Sequence, residues 1–205
     1  MILVAGSANL DFVVRASHIP GPGETVLGQA FHTFPGGKGA NQAVAAARAG
    51  GASTRMLLAL GDDAYARPLE DSLTGTGVQL HIVRSPDQAT GTAFICVSDD
   101  AENAITVAPG ANNTLAPQHL PALDDVSHLL MQLETPLASV AAYARAARAA
   151  GVKVVLNAAP AQSLDADLLG LIDILVVNEG ELASITGRQV GVAENLQQLP
   201  VPVVV

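Results

Sequence analysis

Polar side chains able to hold a ligand follow two short apolar runs of this 205-residue chain. Asn9 and Asp11 come after Ile2–Ala5, and Glu134 comes after Leu129–Leu133. Their amide and carboxylate groups can donate to, or accept from, a ligand rich in polar groups. Ligands of α/β proteins gather where parallel strands end at their carboxyl side, so this placement predicts a binding site. Alternative roles stay open: a turn-stabilising pair for Asn9 and Asp11, and an acid at a helix N-terminus for Glu134.

A glycine-rich segment supplies the second group of candidates. Gly36, Gly37 and Gly39 lie directly before an alanine-rich helix, with Lys38 and Asn41 among them. Glycine permits positive φ and close approach of the backbone to a ligand, and the free N–H groups of a helix start favour polar or anionic groups. The segment therefore predicts a binding loop. A hinge turn, a solvated Lys38 and a helix-capping Asn41 are the alternatives.

Familiar catalytic fingerprints do not fit this segment. A P-loop needs glycine at position 32 and Ser or Thr after Lys38, whereas His32 and Gly39 stand there. The dinucleotide fingerprint fails because Gln42 occupies its last glycine position. No zinc-type histidine spacing and no G-x-S-x-G nucleophile motif occurs in the sequence.

Composition narrows the class of protein. Ten Lys and Arg against 19 Asp and Glu give a net charge of −9, and aromatic residues make up 3% of the chain. Nucleic-acid binding needs a basic surface and stacking aromatics, so we expect no nucleic-acid partner. The apolar runs are too short to span a bilayer, and no export signal follows Met1. The single cysteine, Cys96, cannot form an internal disulfide, so we expect a cytoplasmic protein with Cys96 in the core.

Short β-rich runs alternate with helical patterns, which predicts an α/β fold with a mostly parallel sheet and helices on both faces. We assign residues 1–10, 36–90 and 109–205 to this core. Residues 11–35 and 91–108 break the rhythm, because each has two short strands joined by a Gly, Pro or Asp turn. We expect these two hairpins to form a small β-sheet lid.

The run Gly-Gly-Lys-Gly-Ala-Asn-Gln-Ala-Val-Ala-Ala-Ala resembles the first signature of the ribokinase-like, or PfkB, carbohydrate kinases. Further blocks resemble that family in its own order along nearly the whole chain: Gly6–Asp11, Pro22–Val26, Gly61–Asp63, Gly110–Asn112, Met131–Leu137, Leu156–Ala161 and Asn178–Glu181. Two of them, Met131–Leu137 and Leu156–Ala161, are most similar to the ribokinase branch.

The resemblance implies ATP-dependent phosphorylation of a pentose, foremost D-ribose to ribose 5-phosphate, by in-line transfer to the terminal hydroxyl. It also implies Mg²⁺, ATP, a homodimer formed through the lid, and a monovalent cation such as K⁺ whose site is not in this chain. Kinases of the same family acting on nucleosides, fructose or keto-deoxy sugars remain open. So does a non-catalytic module that binds sugar or dimerises.

The same resemblance implies roles for individual residues. Asn178 and Glu181 would lie beside the nucleotide phosphates, with Glu181 acting weakly on magnesium through water. The alternative is that Glu179 and Glu181 are ordinary first-turn acids of a helix. The family's D-T-x-G-A-G-D block, which carries the aspartate base, does not occur in the sequence. We expect that base beyond Val205, and we expect the 205 residues alone to be inactive. The residues implied to bind the sugar are Asn9, Asp11, Gly36, Gly37, Lys38, Gly39, Asn41 and Glu134.

Overall fold

A computed structural model describes residues 1–187 and 191–205 of the chain. The strands and α-helices follow one another as β1 (Ile2–Ala5), β2 (Asn9–Arg15), β3 (Ala30–Gly36), α1 (Lys38–Gly50), β4 (Thr54–Gly61), α2 (Ala66–Gly75), β5 (Gln79–Ser85), β6 (Gly91–Val97), β7 (Asn103–Ala108), β8 (His128–Met131), α3 (Leu137–Ala149), β9 (Lys153–Asn157), α4 (Ala166–Leu169), β10 (Ile174–Val176), α5 (Glu179–Thr186), α6 (Val192–Leu196) and β11 (Val203–Val204). Two 3₁₀ turns, Gly110–Thr114 and Pro117–His119, connect β7 to β8.

Seven strands form the main sheet in the order β11-β10-β9-β8-β1-β4-β5, and every neighbouring pair is parallel. The strand order changes direction at β1, which has β4 on one side and β8 on the other. Such a switch point opens a crevice at the carboxyl ends of the strands, where ligands of α/β folds bind. The predicted parallel α/β sheet is confirmed.

Helices cover both faces of this sheet, as predicted. In β1, Leu3 packs in the cluster that includes residues of α3 and α4, while Val4 packs in the cluster that includes residues of α1 and α2. Both residues are fully buried, because successive side chains of a strand point to opposite faces. Burial on both faces explains why the strands read as continuous apolar runs in the sequence.

The remaining four strands form a second sheet in the order β3-β2-β6-β7, which we call the lid. The pairs β2/β3 and β6/β7 are antiparallel hairpins, and the hairpins join through a parallel β2/β6 pair. The predicted second sheet is confirmed. Within the predicted hairpin of residues 11–35, the second strand begins only at Ala30, and residues 24–29 are not in a strand.

The register of the lid places particular side chains toward the crevice. Asp11 pairs with Ala93 of β6, which pairs in turn with Val107 of β7. Directly paired residues share one face of a sheet, so these three side chains belong to a single face. Cys96 falls on the opposite face and is half-buried, so its expected place in the core was wrong.

Within the described ranges, no helix is long and apolar enough to cross a membrane.

Candidate functional site

The glycine turn between β3 and α1 packs directly against the segment that leaves β1. Gly37 has a φ of 90°, a left-handed conformation that favours glycine. A side chain there would place its Cβ 2.8 Å from the backbone nitrogen of Asn9. A Cβ at Gly36 would collide with the carboxylate of Asp11. The glycines therefore let the turn and the start of the lid approach closely enough to share one cleft.

Glu134 lies at the centre of this arrangement, in the loop that follows β8. Its Oε2 atom accepts hydrogen bonds from Ser7 Oγ at 2.5 Å and from the backbone N–H of Lys38 at 3.0 Å. The Lys38 ammonium lies 3.8 Å from Oε1. Ser7 Oγ also accepts a hydrogen bond from the Gly39 N–H at 3.3 Å. Glu134 thus fixes the N-terminus of α1, and its Oε1 faces Lys38.

Asp11 differs from Glu134 because no group among residues 1–187 and 191–205 donates a hydrogen bond to its carboxylate. Burial, and to a smaller extent the negative charge of Glu134, raises the pKa of Asp11 to about 6. At neutral pH the carboxylate is ionised without a donor. It offers two acceptor oxygens to a ligand.

Two adjoining cavities of 390 and 240 Å³ form one cleft between the lid and the main sheet. Both are lined by Asn9, Lys38, Ile105, Val107 and Glu134. The polar residues come from the core side and the first lid strand, whereas Ile105 and Val107 come from β7. A sugar has both hydroxyl groups and an apolar C–H surface, so a cleft with one polar side and one apolar side can bind it.

The sequence-predicted sugar residues are thus brought together. The smaller cavity is lined by Asp11, Gly37 and Asn41 in addition to the shared residues. Asn41 does not cap the helix: the N-cap position of α1 is Gly37, with no side-chain cap. Gly36 and Gly39 shape the same turn through the contacts given above.

Asn178 and Glu181 lie elsewhere, after β10. They form a capping box at the start of α5, in which Asn178 Oδ1 accepts from the Glu181 N–H at 2.8 Å and Glu181 Oε2 accepts from the Asn178 N–H at 2.9 Å. Two strands separate β10 from β1. The capping box gives these residues a structural role, and their predicted role near a nucleotide remains a prediction. No group of three or more His, Cys, Asp or Glu able to hold a metal ion occurs in the described part of the chain.

Three polar positions near the cleft received no role from the sequence. Ser7 and Asn112 each bind groups more than a hundred residues away. Gln42, on α1, accepts from Gln132 at 2.6 Å and donates to Asn157 at 3.0 Å, which ties the helix to the ends of β8 and β9. All three lie in blocks that resemble the family, but the local sequence does not show what they bind, because their partners come from distant parts of the chain.

A separate cleft of 580 Å³ lies beside α2 and the end of β5. Four of its charged residues form two ion pairs: Arg84 contacts Glu70 at 2.6 Å, and Arg67 contacts Asp71 at 3.6 Å. Asp63 accepts from the backbone N–H of Thr90 at 2.7 Å, which fixes the start of the lid strand β6. This cleft contains none of the predicted sugar residues.

Comparisons with known proteins agree with this architecture. The family model described as pfkB family carbohydrate kinase matches residues 1–203. The ribokinase of Haemophilus influenzae is 43% identical over 194 residues, which cover 92% of this chain and 63% of that protein. The deoxyribokinase of Salmonella typhi is 34% identical over 202 residues, which cover 96% of this chain and 66% of that protein.

A solved structure of Arabidopsis thaliana ribokinase complexed with ribose and ATP is similar as well. It superposes with a TM-score of 0.84 at 32% identity, over 96% of this chain and 66% of that one. The chain therefore spans less than two thirds of the length of the Haemophilus relative, and about two thirds of the Arabidopsis structure.

Proposed function

The chain belongs to the pfkB family of carbohydrate kinases, and we propose that it provides the sugar-binding half and the lid of an ATP-dependent pentose kinase. The substrate proposed first is D-ribose, phosphorylated at its terminal hydroxyl to ribose 5-phosphate. The similarity to ribokinases, one of them solved with ribose and ATP, supports this choice. The observation that carries the proposal is the ionised, donor-free carboxylate of Asp11 in a polar cleft under the lid.

In this proposal each cleft residue makes a different contact with the substrate. The Asp11 carboxylate accepts hydrogen bonds from two neighbouring sugar hydroxyls, and the Lys38 ammonium beside Glu134 donates to the ligand. Lys38 also places a positive charge near the incoming phosphoryl group. The apolar side chains of Ile105 and Val107 cover the sugar and exclude water, which strengthens those hydrogen bonds.

The nucleotide side of the proposal depends on α5. Glu181 uses Oε2 in the capping box, so Oε1 is available to accept from a water molecule bound to Mg²⁺. Magnesium supplies charge neutralisation on the ATP phosphates. The D-T-x-G-A-G-D block is not among the 205 residues, so we assign the aspartate base and any K⁺ site to none of them.

The lid supports a further part of the proposal, a homodimer. Phe31 and Phe94 are each more than half exposed although they lie in strands of the lid, on the face opposite Asp11. Phe12 stacks on Phe94 with ring centroids 5.4 Å apart, which extends one of these apolar surfaces. Apolar patches of this kind mark interaction sites, and a second lid is the partner that the family implies.

A substrate panel tests the proposed function. The protein, expressed from its complete gene, is assayed with Mg-ATP and D-ribose, 2-deoxyribose, fructose or a nucleoside. We expect the highest kcat/KM with D-ribose, and the phosphate at O5 by NMR of the product. The 205-residue chain alone is expected to bind ribose in calorimetry without forming product. If no member of the panel is phosphorylated by the complete protein, the kinase assignment is wrong.

A further inference from the structure

Asn112 is almost completely buried where the lid rejoins the core, beside the larger cavity of the cleft. It lies in the first 3₁₀ turn after β7 and is 1% exposed. Its Oδ1 accepts from the backbone N–H of Ala8 at 3.0 Å, and its Nδ2 donates to the Ala8 carbonyl at 3.2 Å and to Asn9 Oδ1 at 2.8 Å. One side chain thus holds both polar groups of Ala8 and the side chain of Asn9.

These contacts fix the orientation of two amide groups. A backbone N–H can only donate, so the atom of Asn112 that faces it is the oxygen. The nitrogen of Asn112 must then face Asn9, and the atom of Asn9 that it meets must be an acceptor. The Asn9 oxygen is therefore turned inward, and the Asn9 NH₂ group is left for the cleft.

The donor orientation of Asn9 matters because of its neighbours. Asp11 and Glu134 supply only acceptor oxygens when they are ionised, and each sugar hydroxyl has one proton to donate. A hydroxyl that donates to a carboxylate still needs a donor for its own oxygen. Asn9 lines both cavities of the cleft, and no described residue accepts from its NH₂ group. Asn9 is thus a preset donor at this site.

Gly91, the first residue of β6, makes room for the arrangement. A Cβ at this position would collide with Asn112 Nδ2 and with Asn9 Oδ1. The pairing of Asn9 with Gly91 across the β2/β6 boundary therefore serves the amide contact.

We infer that Asn112 is a positioning residue for the sugar, which locks the Asn9 side chain with its NH₂ group toward one substrate hydroxyl. This inference rests on the proposed function for its substrate, although the orientation itself does not. The effect of Asn112 on binding is transmitted through Asn9.

The variant Asn112→Asp tests the inference with little change in shape. One carboxylate oxygen still accepts from the Ala8 N–H, but the other now faces both the Ala8 carbonyl and the Asn9 oxygen, and of these two only the Asn9 side chain can turn. The Asn9 amide turns over to donate to it, so its oxygen points into the cleft. We expect the KM for the sugar to rise about tenfold with kcat changed by less than about threefold. Asn103→Asp, at the exposed start of β7, is the control with the same change of charge; its KM is expected to stay within about twofold.

Single-deoxy sugars separate positioning from a general structural effect. The KM ratio between Asn112→Asp and the unchanged protein should fall to near one for the analogue that lacks the hydroxyl facing Asn9, and stay high for the others. A ratio that is the same for every sugar overturns the inference, because a merely loosened site weakens all of them alike.

A readout that needs no sugar keeps the inference separate from the proposed function. Side-chain amide hydrogen exchange by NMR should show fast exchange for the Asn9 NH₂ group and protection for that of Asn112. In Asn112→Asp the Asn9 NH₂ group should become protected, and in Asn103→Asp it should not. Equal exchange at Asn9 in all three proteins contradicts the inference even if the kinase assignment holds. The expected pattern supports the orientation even if no sugar is phosphorylated.

Discussion

Asp11 in the cleft and Asp173 before β10 are two aspartates with opposite surroundings. Asp173 is 9% exposed, and its oxygens accept from the backbone N–H of Val154 at 2.8 Å, from Arg148 at 2.8 Å and from Lys153 at 3.2 Å. Burial alone would raise the pKa of Asp173, but these hydrogen bonds outweigh it and lower the pKa. Asp11 is less buried, yet burial and the nearby Glu134 raise its pKa because nothing in the described residues donates to it.

The difference separates a structural carboxylate from one reserved for a ligand. The fold has supplied Asp173 with donors, so it ties β9 to the segment before β10. None of the residues that the structure describes donates to Asp11, which costs stability that a bound ligand would restore. Two acids of the same type thus have roles that their burial alone would not distinguish.

Removing Asp173 should give the largest effect on stability. In Asp173→Ala the buried N–H of Val154 loses its acceptor, and Arg148 and Lys153 lose their partner. We expect the free energy of unfolding to fall by about 2 to 3 kcal/mol, with sugar affinity unchanged. Chemical denaturation and calorimetry measure the two quantities. Asp87→Ala, in an exposed turn, is the control; an equal loss of stability there would remove the contrast.

Changing Asp11 should have the opposite effects: sugar affinity should fall, and stability should not. Asp11→Asn keeps the size of the side chain but removes the charge, so sugar affinity should fall about tenfold to a hundredfold. The melting temperature at pH 7 should stay level or rise, because an ionised group without a donor is lost. Titration calorimetry and thermal melting give the two numbers, with Asp87→Asn as the matched control. A large loss of stability with normal sugar binding would assign Asp11 to the same class as Asp173.

The two aspartates should also give opposite pH dependences. The pKa of Asp11 is raised in the folded state, so its folded carboxyl takes up a proton below about pH 6 while the unfolded one remains ionised, and this contribution to stability grows as pH falls toward 4. Asp173 has a lowered pKa in the folded state, so it stabilises the fold at pH values above the ordinary pKa of an aspartate. That stabilisation is lost as the pH falls through the pKa of the folded state.

The affinity for the sugar should depend on the protonation state of Asp11. Below pH 6 the affinity should weaken by about tenfold per pH unit, because the protonated carboxyl is a poorer acceptor. Asp11→Asn should flatten this profile. Calorimetric titrations between pH 5 and 8 check it, and a slope that survives in Asp11→Asn would mean that another group titrates.

The smallest effect is expected at α5, where a cap and a proposed magnesium contact share one side chain. Glu181→Gln retains an oxygen that accepts from the Asn178 N–H, so the free energy of unfolding should change by less than about 1 kcal/mol. In the complete protein, the Mg²⁺ concentration for half-maximal activity should rise about threefold. Glu179→Gln removes another first-turn charge of the same helix and serves as the control. An identical Mg²⁺ response in both variants would mean that Glu181 caps the helix and has no particular role in magnesium binding.

Much of the fold could be predicted from local sequence. The apolar runs marked the strands of the parallel sheet, and the turn residues marked the two hairpins of the lid. The strand ends differ from the sequence pattern: β2 begins at Asn9 rather than Asp11, and Leu133 lies outside β8. Strand ends depend on which neighbour supplies hydrogen bonds, and the neighbours β1 and β8 are separated by more than a hundred residues.

The sequence by itself indicated the family, the order of the elements and several of the polar residues that line the cleft. Glycines before an alanine-rich helix and acids after apolar runs are local features, so they can be read from the chain. Only the tertiary structure decided which of these groups are already satisfied. Ser7 meets Glu134 across 127 positions and Asn112 meets Asn9 across 103. Whether a polar atom is occupied or left for a ligand depends on the partner that packs against it, and that partner is set by the fold.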